Sequence, residues 1–244
     1  MKNVKPYSKL AEIYDNLMDH VDYKKWSNYV KSFFNKADRN IQNILDLSCG
    51  TGSLLEYYCK MKYKCIGCDY SLSMIREAKN KDRLKGMPFF NGDAVNIALI
   101  DESVDVILFL YDSINYILNE DDLFRLFKDS KRVLRKGGLF IFDIITESLC
   151  LKYYKNFYDS EIWGNQGYYR YSYYNEEKKS QINEFSILLN GKLYNEKHKQ
   201  KIYPIKKIIG YLDTIDFKLC SLTDNFSLRE GNEYSERIHF VCKK

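Results

Sequence analysis

The stretch Ile44-Leu45-Asp46-Leu47-Ser48-Cys49-Gly50-Thr51-Gly52 decides the fold. It ends an apolar run over residues 41–47 with a turn of small residues, and a segment of helical character follows over residues 53–61. A strand, a tight turn and a helix start, in this order, form a unit that binds nucleotide-like ligands at the end of a parallel sheet. Gly50 and Gly52 lack a Cβ, so the backbone can take positive φ and a ligand can approach it closely.

A dinucleotide-binding fold is the alternative, because it also places a glycine turn after a strand. Its G-x-G-x-x-G signature needs a third glycine three residues after Gly52, where Leu55 stands. The pattern present is D-x-S-x-G-x-G. This pattern resembles motif I of the class I S-adenosylmethionine (SAM) methyltransferases, with Ser48 at the position of the usual first glycine or alanine. The resemblance implies that Asp46, Ser48, Gly50 and Gly52 contact SAM.

A second acidic residue ends the next predicted strand, over residues 64–69. Asp69 lies 23 residues after Asp46. A carboxylate about 20 residues after a glycine turn is placed to accept hydrogen bonds from both ribose hydroxyls. Asp69 could instead cap the following helix, but Ser71 is available for that position. The spacing therefore favours a ribose-binding role for Asp69.

A third acidic residue follows the short strand over residues 88–91. Gly92-Asp93-Ala94 alone is only a turn signal. In the resembled family this position holds the adenine amino group through the Asp, and a backbone N–H, here that of Ala94, adds a second contact. Phe90, Tyr70 and Met74 are the candidates to enclose the adenine ring.

The aromatic residues near the start of the chain have two explanations. Tyr14 lies in a run with helical spacing, and Trp26 lies on a helix that begins at Asp22. Packing alone would explain both. However, the order Tyr7-x6-Tyr14-Asp15 and then Asp22-Tyr23-x2-Trp26 resembles the N-terminal helical cap of small-molecule methyltransferases. The resemblance implies that Tyr14 and Trp26 close over SAM, whose sulfonium cation suits an aromatic face.

Polar residues follow the fourth predicted strand, which ends at Leu110. The segment Tyr111-Asp112-Ser113-Ile114-Asn115-Tyr116 resembles the D-S-x-N-Y segment of a group of small bacterial methyltransferases. Ligands of such sheets lie outside the carboxyl ends of the strands. We therefore expect Leu110 beside the cofactor, Asp112 as a candidate general base, and Tyr111 and Asn115 as groups that orient the acceptor. A solvated loop with an Asx turn at Asp112 is the alternative.

The region after residue 146 has a different character. An aromatic-rich helix is predicted over residues 149–157, and three strands over residues 167–174, 181–189 and 192–203 form an antiparallel meander. Asn190-Gly191 is a strong hairpin signal between the last two. This insertion should cover the site as a lid. His198, on its third strand, is either a second candidate base or a structural residue.

The remaining elements complete the predicted fold. A helix that begins after Asn119 should end at Gly137-Gly138, and the L-R-K-G-G-x-x-x-x-D pattern there is typical of the resembled family. We predict an α/β Rossmann-like protein whose seven-stranded sheet has the order 3-2-1-4-5-7-6, with the last strand antiparallel. One domain results: cap and SAM-binding core over residues 1–146, lid over 147–203, and the rest of the core over 204–244.

Composition narrows the function further. A net charge of +5 over 244 residues is small and dispersed, so nucleic acid is not an expected partner. Seven cysteines at scattered spacing do not form a disulfide framework, and Cys65-x-x-Cys68 has no second pair to complete a zinc site. No metal is expected. Without an apolar segment long enough for export or membrane insertion, a cytoplasmic monomer or homodimer is the default expectation.

Three functions fit these observations. The first is a SAM-dependent methyltransferase that moves a methyl group to N or O of a small-molecule acceptor, as the lid and the chain length favour. The second is an RNA or protein methyltransferase, which would need a concentrated basic surface or an added binding domain. The third is a SAM-binding protein without catalytic activity.

Overall fold

A computed structural model describes residues 2–244, within which the chain forms two β-sheets, of seven and of five strands. The strands in chain order are β1 (Lys2–Val4), β2 (Asn43–Asp46), β3 (Lys64–Asp69), β4 (Phe89–Asn91), β5 (Val104–Phe109), β6 (Leu134–Ile145), β7 (Phe157–Trp163), β8 (Gln166–Asn175), β9 (Ser180–Leu189), β10 (Lys192–Lys201), β11 (Lys218–Asp224) and β12 (Arg237–Lys243). The α-helices are α1 (Tyr14–Leu17), α2 (Tyr23–Ser32), α3 (Leu55–Lys60), α4 (Leu72–Asn80), α5 (Glu120–Val133), α6 (Glu147–Tyr153) and α7 (Ile205–Thr214).

The seven-stranded sheet has the order β4-β3-β2-β5-β6-β12-β11. Strands β4, β3, β2, β5 and β6 are parallel neighbours, and β12 runs antiparallel to both β6 and β11. The predicted strand order and the antiparallel last strand are therefore confirmed. The carboxyl ends of the first four parallel strands along the chain meet at one edge of the sheet, which is where such folds bind ligands.

Side chains of β2 alternate between two hydrophobic layers. Leu45 packs in a cluster with Phe127 of α5 and Ile208 of α7 on one face of the sheet. Ile44 packs with Val30 of α2 and Leu55 of α3 on the other. Ile44 and Leu45 are completely buried, as expected for a strand that is covered on both faces.

The side chains of three predicted N-cap residues accept backbone hydrogen bonds at the starts of their helices. The Asp22 carboxylate accepts the Lys25 N–H at 2.8 Å, and the Asn119 side chain accepts the Asp121 N–H at 3.0 Å. The Ser71 hydroxyl accepts the Met74 N–H at 3.3 Å at the start of α4. Ser71 therefore takes the capping role, and the Asp69 side chain is not needed for it.

Cys65 and Cys68 lie on opposite faces of β3. Cys65 packs beside Ile44, and Cys68 packs beside Leu45. None of the seven cysteines, all within residues 2–244, forms a disulfide. The two thiols therefore belong to different hydrophobic layers of the core.

The second sheet is larger than the predicted meander. Its order is β1-β10-β9-β8-β7, so strand β7 and the N-terminal strand β1 join the three predicted strands. Gly164 has a φ of +62° and allows the tight turn between β7 and β8. Asn190 and Gly191 both have positive φ in the β9–β10 turn, as the Asn-Gly signal predicts.

The N-terminal cap packs on the second sheet. Leu10 and Ile13, on a 3₁₀-helix over Leu10–Ile13 that precedes α1, form a buried cluster with Phe185 and Ile187 of β9. The cap and the lid are therefore one packed unit beside the end of the larger sheet.

Two predicted helix ends were wrong. Helix α5 ends at Val133, and both Gly137 and Gly138 lie within β6. A Cβ on Gly138 would approach the Asp105 carbonyl oxygen to 2.7 Å, so close strand packing explains that glycine rather than a helix end. The helix predicted over residues 149–157 is α6, which stops at Tyr153 because β7 begins at Phe157.

Candidate cofactor and acceptor site

A cavity of about 1170 Å³ lies beyond the carboxyl ends of β2, β3, β4 and β5. The N-terminal segment with Tyr7 forms one wall, and a 3₁₀-helix after β5, Ser113–Tyr116, forms another. Eleven of the predicted site residues line this cavity: Tyr14, Asp46, Ser48, Gly50, Asp69, Tyr70, Met74, Asp93, Ala94, Leu110 and Tyr111. The structure thus brings together the three strand-end acids and the glycine turn.

The two glycines of the turn have different surroundings. Gly50 has a φ of +53°, and a Cβ there would find only the Tyr14 ring, at 3.9 Å. Gly52 has a φ of +79°, and a Cβ there would meet Leu84 at 2.5 Å. Gly50 therefore faces the cavity, whereas Gly52 faces the hydrophobic core and does not line the cavity. The prediction that Gly52 contacts the cofactor is corrected to a packing role.

Asp69 is held by the glycine turn. Its carboxylate accepts the Gly50 N–H at 2.9 Å and the Ser71 N–H at 2.8 Å, one on each oxygen. Each oxygen keeps a second lone pair, so the group can still accept two hydroxyl hydrogen bonds. Burial raises the pKa of Asp69 to about 6, although both N–H bonds oppose that shift.

Asp46 is more strongly desolvated. Burial raises its pKa to about 7, with the Ser48 N–H acting in the opposite direction. The carboxylates of Asp46 and Asp69 are thus held at a cost in free energy, which a bound cation would reduce. Asp93, at the same edge, is exposed, and its carboxylate accepts the Val95 N–H at 3.0 Å.

These features fit SAM, a cation with a ribose, an adenine and an amino-acid tail. Asp69 offers acceptors for the ribose hydroxyls, Gly50 offers bare backbone, and Tyr14 offers an aromatic face. Tyr111 adds a buried hydroxyl oxygen that has no hydrogen-bond partner within residues 2–244. Buried polar groups without partners are rare in folded proteins, which makes this one a candidate for ligand contact.

Trp26 lies outside the cavity lining. Its ring stacks on the Tyr111 ring at a centroid distance of 4.2 Å, and it is only 6% exposed. The Arg237 guanidinium lies 5.7 Å from the Trp26 ring centroid. The prediction that Trp26 closes over the cofactor is corrected: it supports Tyr111 from behind.

Asp112 is also turned away from the cavity. Its carboxylate forms an ion pair with Arg237 at 2.7 Å and accepts a hydrogen bond from the Gln200 amide. Arg237 also pairs with Asp143, which is fully buried and accepts the Asp112 N–H at 2.9 Å. Burial raises the pKa of Asp112, and Arg237 opposes that shift. A carboxylate engaged in this way is poorly placed as a general base, so this geometry contradicts the predicted role of Asp112.

Asn115 joins two elements instead of facing an acceptor. Its amide donates to the Lys201 carbonyl at 2.8 Å, and its oxygen accepts the Ile145 N–H at 3.1 Å. It is completely buried and does not line the cavity. The predicted acceptor contact is corrected to a structural link between the ends of β6 and β10.

His198 lies behind the cavity wall, with 1% of its surface exposed. Its Nδ1 is 3.1 Å from the Tyr116 hydroxyl, and its Nε2 is 3.0 Å from Glu196. It therefore has no direct contact with the cavity. Tyr7 and Tyr116, which do line it, were not among the predicted site residues, although both belong to the motifs that carry the resemblance.

Within residues 2–244, no group of three or more His, Cys, Asp or Glu side chains is placed to hold a metal ion. No helix in the same part of the chain combines the length and the apolar character needed to cross a membrane.

Known proteins resemble this chain in sequence and in structure. Residues 44–138 match the family described as "Methyltransferase domain". YqeM of Bacillus subtilis (strain 168), described as a candidate methyltransferase, is 27% identical over 98% of this chain and 97% of its own length.

Solved structures agree. A SAM-dependent methyltransferase from Clostridium acetobutylicum ATCC 824 is 30% identical, with a TM-score of 0.82 over 97% of this chain and 98% of that one. The sugar N-methyltransferase KedS8 from Streptoalloteichus sp. ATCC 53650 shares the fold, with 18% identity and a TM-score of 0.77 over 95% and 93% of the two chains. With the motif I turn and the acids gathered at one cavity, these likenesses establish that the chain belongs to the class I SAM-dependent methyltransferases and that SAM is its cofactor.

Proposed function

We propose that this protein transfers the methyl group of SAM to a nitrogen or oxygen atom of a small-molecule acceptor. The observation that carries this proposal is the wall of the cavity. The acids and the Gly50 turn lie on one side of it, and the tyrosines Tyr7 and Tyr116 lie on another. One cavity thus offers a cofactor region and a second polar region beside it.

The cap and the lid support a small acceptor. Glu196 of β10 accepts the backbone N–H groups of Lys9 and Leu10 at 2.6 and 3.0 Å, which fastens the cap to the lid. A polymer would need an open, charged surface, whereas the two parts here form a packed wall. The sugar N-methyltransferase with the same fold shows that this architecture accommodates a small acceptor in at least one protein.

SAM, when bound, supplies a methyl carbon already activated by its sulfonium. The chain must then hold the nucleophile in line with that carbon and exclude water. Correct positioning of two reactants can account for about 7–11 kcal/mol of a barrier. We assign the cofactor to Gly50, Asp69 and Asp93, and the acceptor to the region between Tyr7, Tyr111 and Tyr116.

The test uses SAM labelled on the methyl group and a panel of amines, amino sugars and hydroxy acids. Label should pass to at least one member of the panel with wild-type protein, and Asp69→Ala should lower the rate at limiting SAM. Bulk tRNA and a peptide mixture are tested in parallel. Transfer to either polymer, with none to the panel, would contradict a small-molecule acceptor, and no transfer at all would favour a non-catalytic SAM-binding protein.

A further inference from the structure

Four side chains at the junction of cap, lid and core form a continuous hydrogen-bonded chain. The Tyr7 and Tyr116 hydroxyl oxygens are 2.7 Å apart, Tyr116 Oη is 3.1 Å from His198 Nδ1, and His198 Nε2 is 3.0 Å from Glu196 Oε2. The two tyrosines line the cavity, and the His–Glu pair is buried, each with 1% of its surface exposed. The chain therefore leads from the cavity into the protein interior.

Glu196 fixes the direction of these bonds. Its carboxylate accepts backbone N–H groups from Tyr7, Lys9 and Leu10, at 2.6, 2.6 and 3.0 Å. Three N–H donors favour the ionised form, which has no proton to donate. The proton between Glu196 and His198 must therefore be on Nε2 of the imidazole.

A neutral His198 with its proton on Nε2 has a bare Nδ1. Tyr116 must then donate its O–H to Nδ1, and its oxygen is free to accept the O–H of Tyr7. The lone pairs of Tyr7 Oη are left without a required donor from this chain. The cavity-lining end of the chain is thus a hydrogen-bond acceptor.

We propose that Tyr7, Tyr116 and His198 form a proton relay that deprotonates the methyl acceptor, with Glu196 holding the imidazole in place. This inference rests on the proposed small-molecule methyl transfer. The acceptor N–H⁺ or O–H gives its proton to Tyr7 Oη, whose own proton passes to Tyr116 Oη, and the Tyr116 proton passes to His198 Nδ1. One proton leaves the acceptor, each tyrosine ends as neutral as it began, and the imidazolium is paired with the Glu196 carboxylate.

The relay selects the acceptor class. Acceptors differ in how readily they give up a proton: the ordinary pKa is about 8 for an α-amino-type ammonium, about 10 for a phenol and about 15.7 for water, the reference for a weakly acidic hydroxyl. The relay therefore suits an amine, and a phenol less well, and does not suit an aliphatic alcohol.

Several charged and titratable groups surround the cavity end of the relay. Those that act on its tyrosines are Tyr14 on α1, Asp69 at the end of β3, Asp112 after β5 and Glu196 on β10. The remaining ring packed against His198 is Phe185 of β9, which carries no charge. The cavity lining also includes Lys5, Lys197 and Lys199, and Asp112 is already paired with Arg237.

The kinetic test uses glucosamine, glycine and a simple phenol as acceptors with labelled SAM. Tyr7→Phe, Tyr116→Phe and His198→Gln should each lower kcat at least tenfold for the amine that reacts, with SAM affinity changed by less than threefold. The Tyr7→Phe/Tyr116→Phe double variant should be no slower than the slower single variant, because either change breaks the same relay.

The matched control is Tyr63→Phe, which removes the hydroxyl of a tyrosine whose ring packs against Phe34 and Tyr58 and which does not line the cavity. It should keep wild-type kcat. Multiplicative losses in the double variant, or an unchanged kcat in the single variants, would overturn the relay.

A second measurement needs no acceptor. Nitrogen-15 NMR of the histidine rings at pH 7.5 should show His198 as the neutral tautomer protonated at Nε2, and Tyr116→Phe should shift its Nδ1 signal. A tautomer protonated at Nδ1 would overturn the bond direction and the relay with it. If no small molecule is methylated, the proposed function fails, whereas this measurement still decides the relay.

Discussion

At the residue scale, the surroundings of a carboxylate decide what it can do. Asp46, Asp69 and Asp112 all follow parallel strands at the same edge of the sheet. The first two line the cavity, and Asp69 keeps free lone pairs. Both carboxylate oxygens of Asp112 accept hydrogen bonds, one from Arg237 and one from Gln200. The same side chain is thus a ligand candidate in one place and an ion-pair partner in another.

The raised pKa of Asp46 makes folding stability depend on pH. The folded state holds the Asp46 proton more tightly than the unfolded chain does. The contribution of this proton to the free energy of unfolding is therefore fully present below about pH 4 and is lost as the pH rises through about 7. We expect the stability advantage of Asp46→Asn over wild type to increase from pH 4.5 to pH 7.5, where it should reach up to about 4 kcal/mol. Urea unfolding at both pH values measures this.

The control is Asp93→Asn, at an exposed carboxylate, which should stay within about 0.5 kcal/mol of wild type at both pH values. If Asp46→Asn and wild type differ by the same amount at pH 4.5 and 7.5, Asp46 does not titrate in this range.

The two turn glycines give a second prediction. Alanine at either position is strained by about 1–2 kcal/mol because φ is positive. At Gly52 it also meets Leu84, so Gly52→Ala should lower stability by more than Gly50→Ala does. Gly50→Ala should reduce SAM affinity because its methyl group enters the cavity. Thermal unfolding of both variants measures the stability losses, and SAM titration measures the affinities. Equal stability losses would contradict the packing role of Gly52.

Spacing along the chain predicted that Asp69 lies at the ligand end of the sheet, but it did not predict the ion pair of Asp112. The glycine turn and Asp69 belong to one strand–helix–strand unit, so local order fixes their geometry. Asp112 meets its partner Arg237 from 125 residues away. No periodicity or spacing near Asp112 reports such a partner, which is why the sequence placed this carboxylate at the reaction centre.

At the element scale, Glu196 joins the N-terminal segment to β10. Burial alone would raise its pKa, but the hydrogen bonds from His198, Lys9 and Leu10 outweigh burial and hold the pKa below its ordinary value. Strand β1 then pairs with β10 in parallel, from Lys2 opposite Tyr194 onward. One buried carboxylate thus organises the contact between cap and lid.

Glu196→Gln should weaken this junction. An amide accepts on one atom only, so at least one buried N–H loses its partner, at about 1–3 kcal/mol. We expect lower stability by about 2–3 kcal/mol and faster hydrogen exchange at Tyr7, Lys9 and Leu10. Glu184→Gln is the control, because its ion pair with Lys197 is exposed and should contribute less than about 1 kcal/mol. Equal effects of the two changes would argue against the anchor.

Arg237 links β12 to two carboxylates after β5 and in β6. Arg237→Met leaves the buried Asp143 and the half-buried Asp112 without their cation, which should cost about 3–5 kcal/mol near pH 8. The loss should shrink toward pH 5, because the carboxyl groups, whose pKa is already raised by burial, then take up protons. Urea unfolding at both pH values measures whether the stability loss is smaller at pH 5 than at pH 8.

Arg229→Met is the comparison, since the Arg229 side chain is 81% exposed. An Arg237→Met loss of similar size to that of Arg229→Met would contradict the buried cluster.

Elements were predictable where one local signal sufficed. The Asn190-Gly191 turn and the Asp22 and Asn119 caps fix their elements within a few residues. Strand β1 depends on pairing with a strand 190 residues later, and β7 depends on a turn at Gly164 whose flanks carry little hydrophobic alternation. Tertiary pairing therefore decided the two strands that sequence patterns missed.

At the scale of the whole molecule, the parallel order β4-β3-β2-β5 gathers side chains from distant parts of the chain at one edge. The cap and the lid pack on each other through Leu10 and Phe185 and complete the cavity. The hydrophobic runs predicted the strands of the core, and the resemblance to class I SAM methyltransferases predicted their order in the sheet. The proposed acceptor region between Tyr7, Tyr111 and Tyr116 was less predictable, because it is assembled from separate segments of the chain.

Calorimetric titration of SAM into wild type and Asp69→Ala tests the central claim that this cavity binds SAM through Asp69. Wild type should bind, and Asp69→Ala should bind about 10–100-fold more weakly, from the loss of about 1.5–3 kcal/mol of charged hydrogen bonding. Asp216→Ala, at a fully exposed carboxylate, should bind as wild type does. Unchanged affinity in Asp69→Ala would contradict the account.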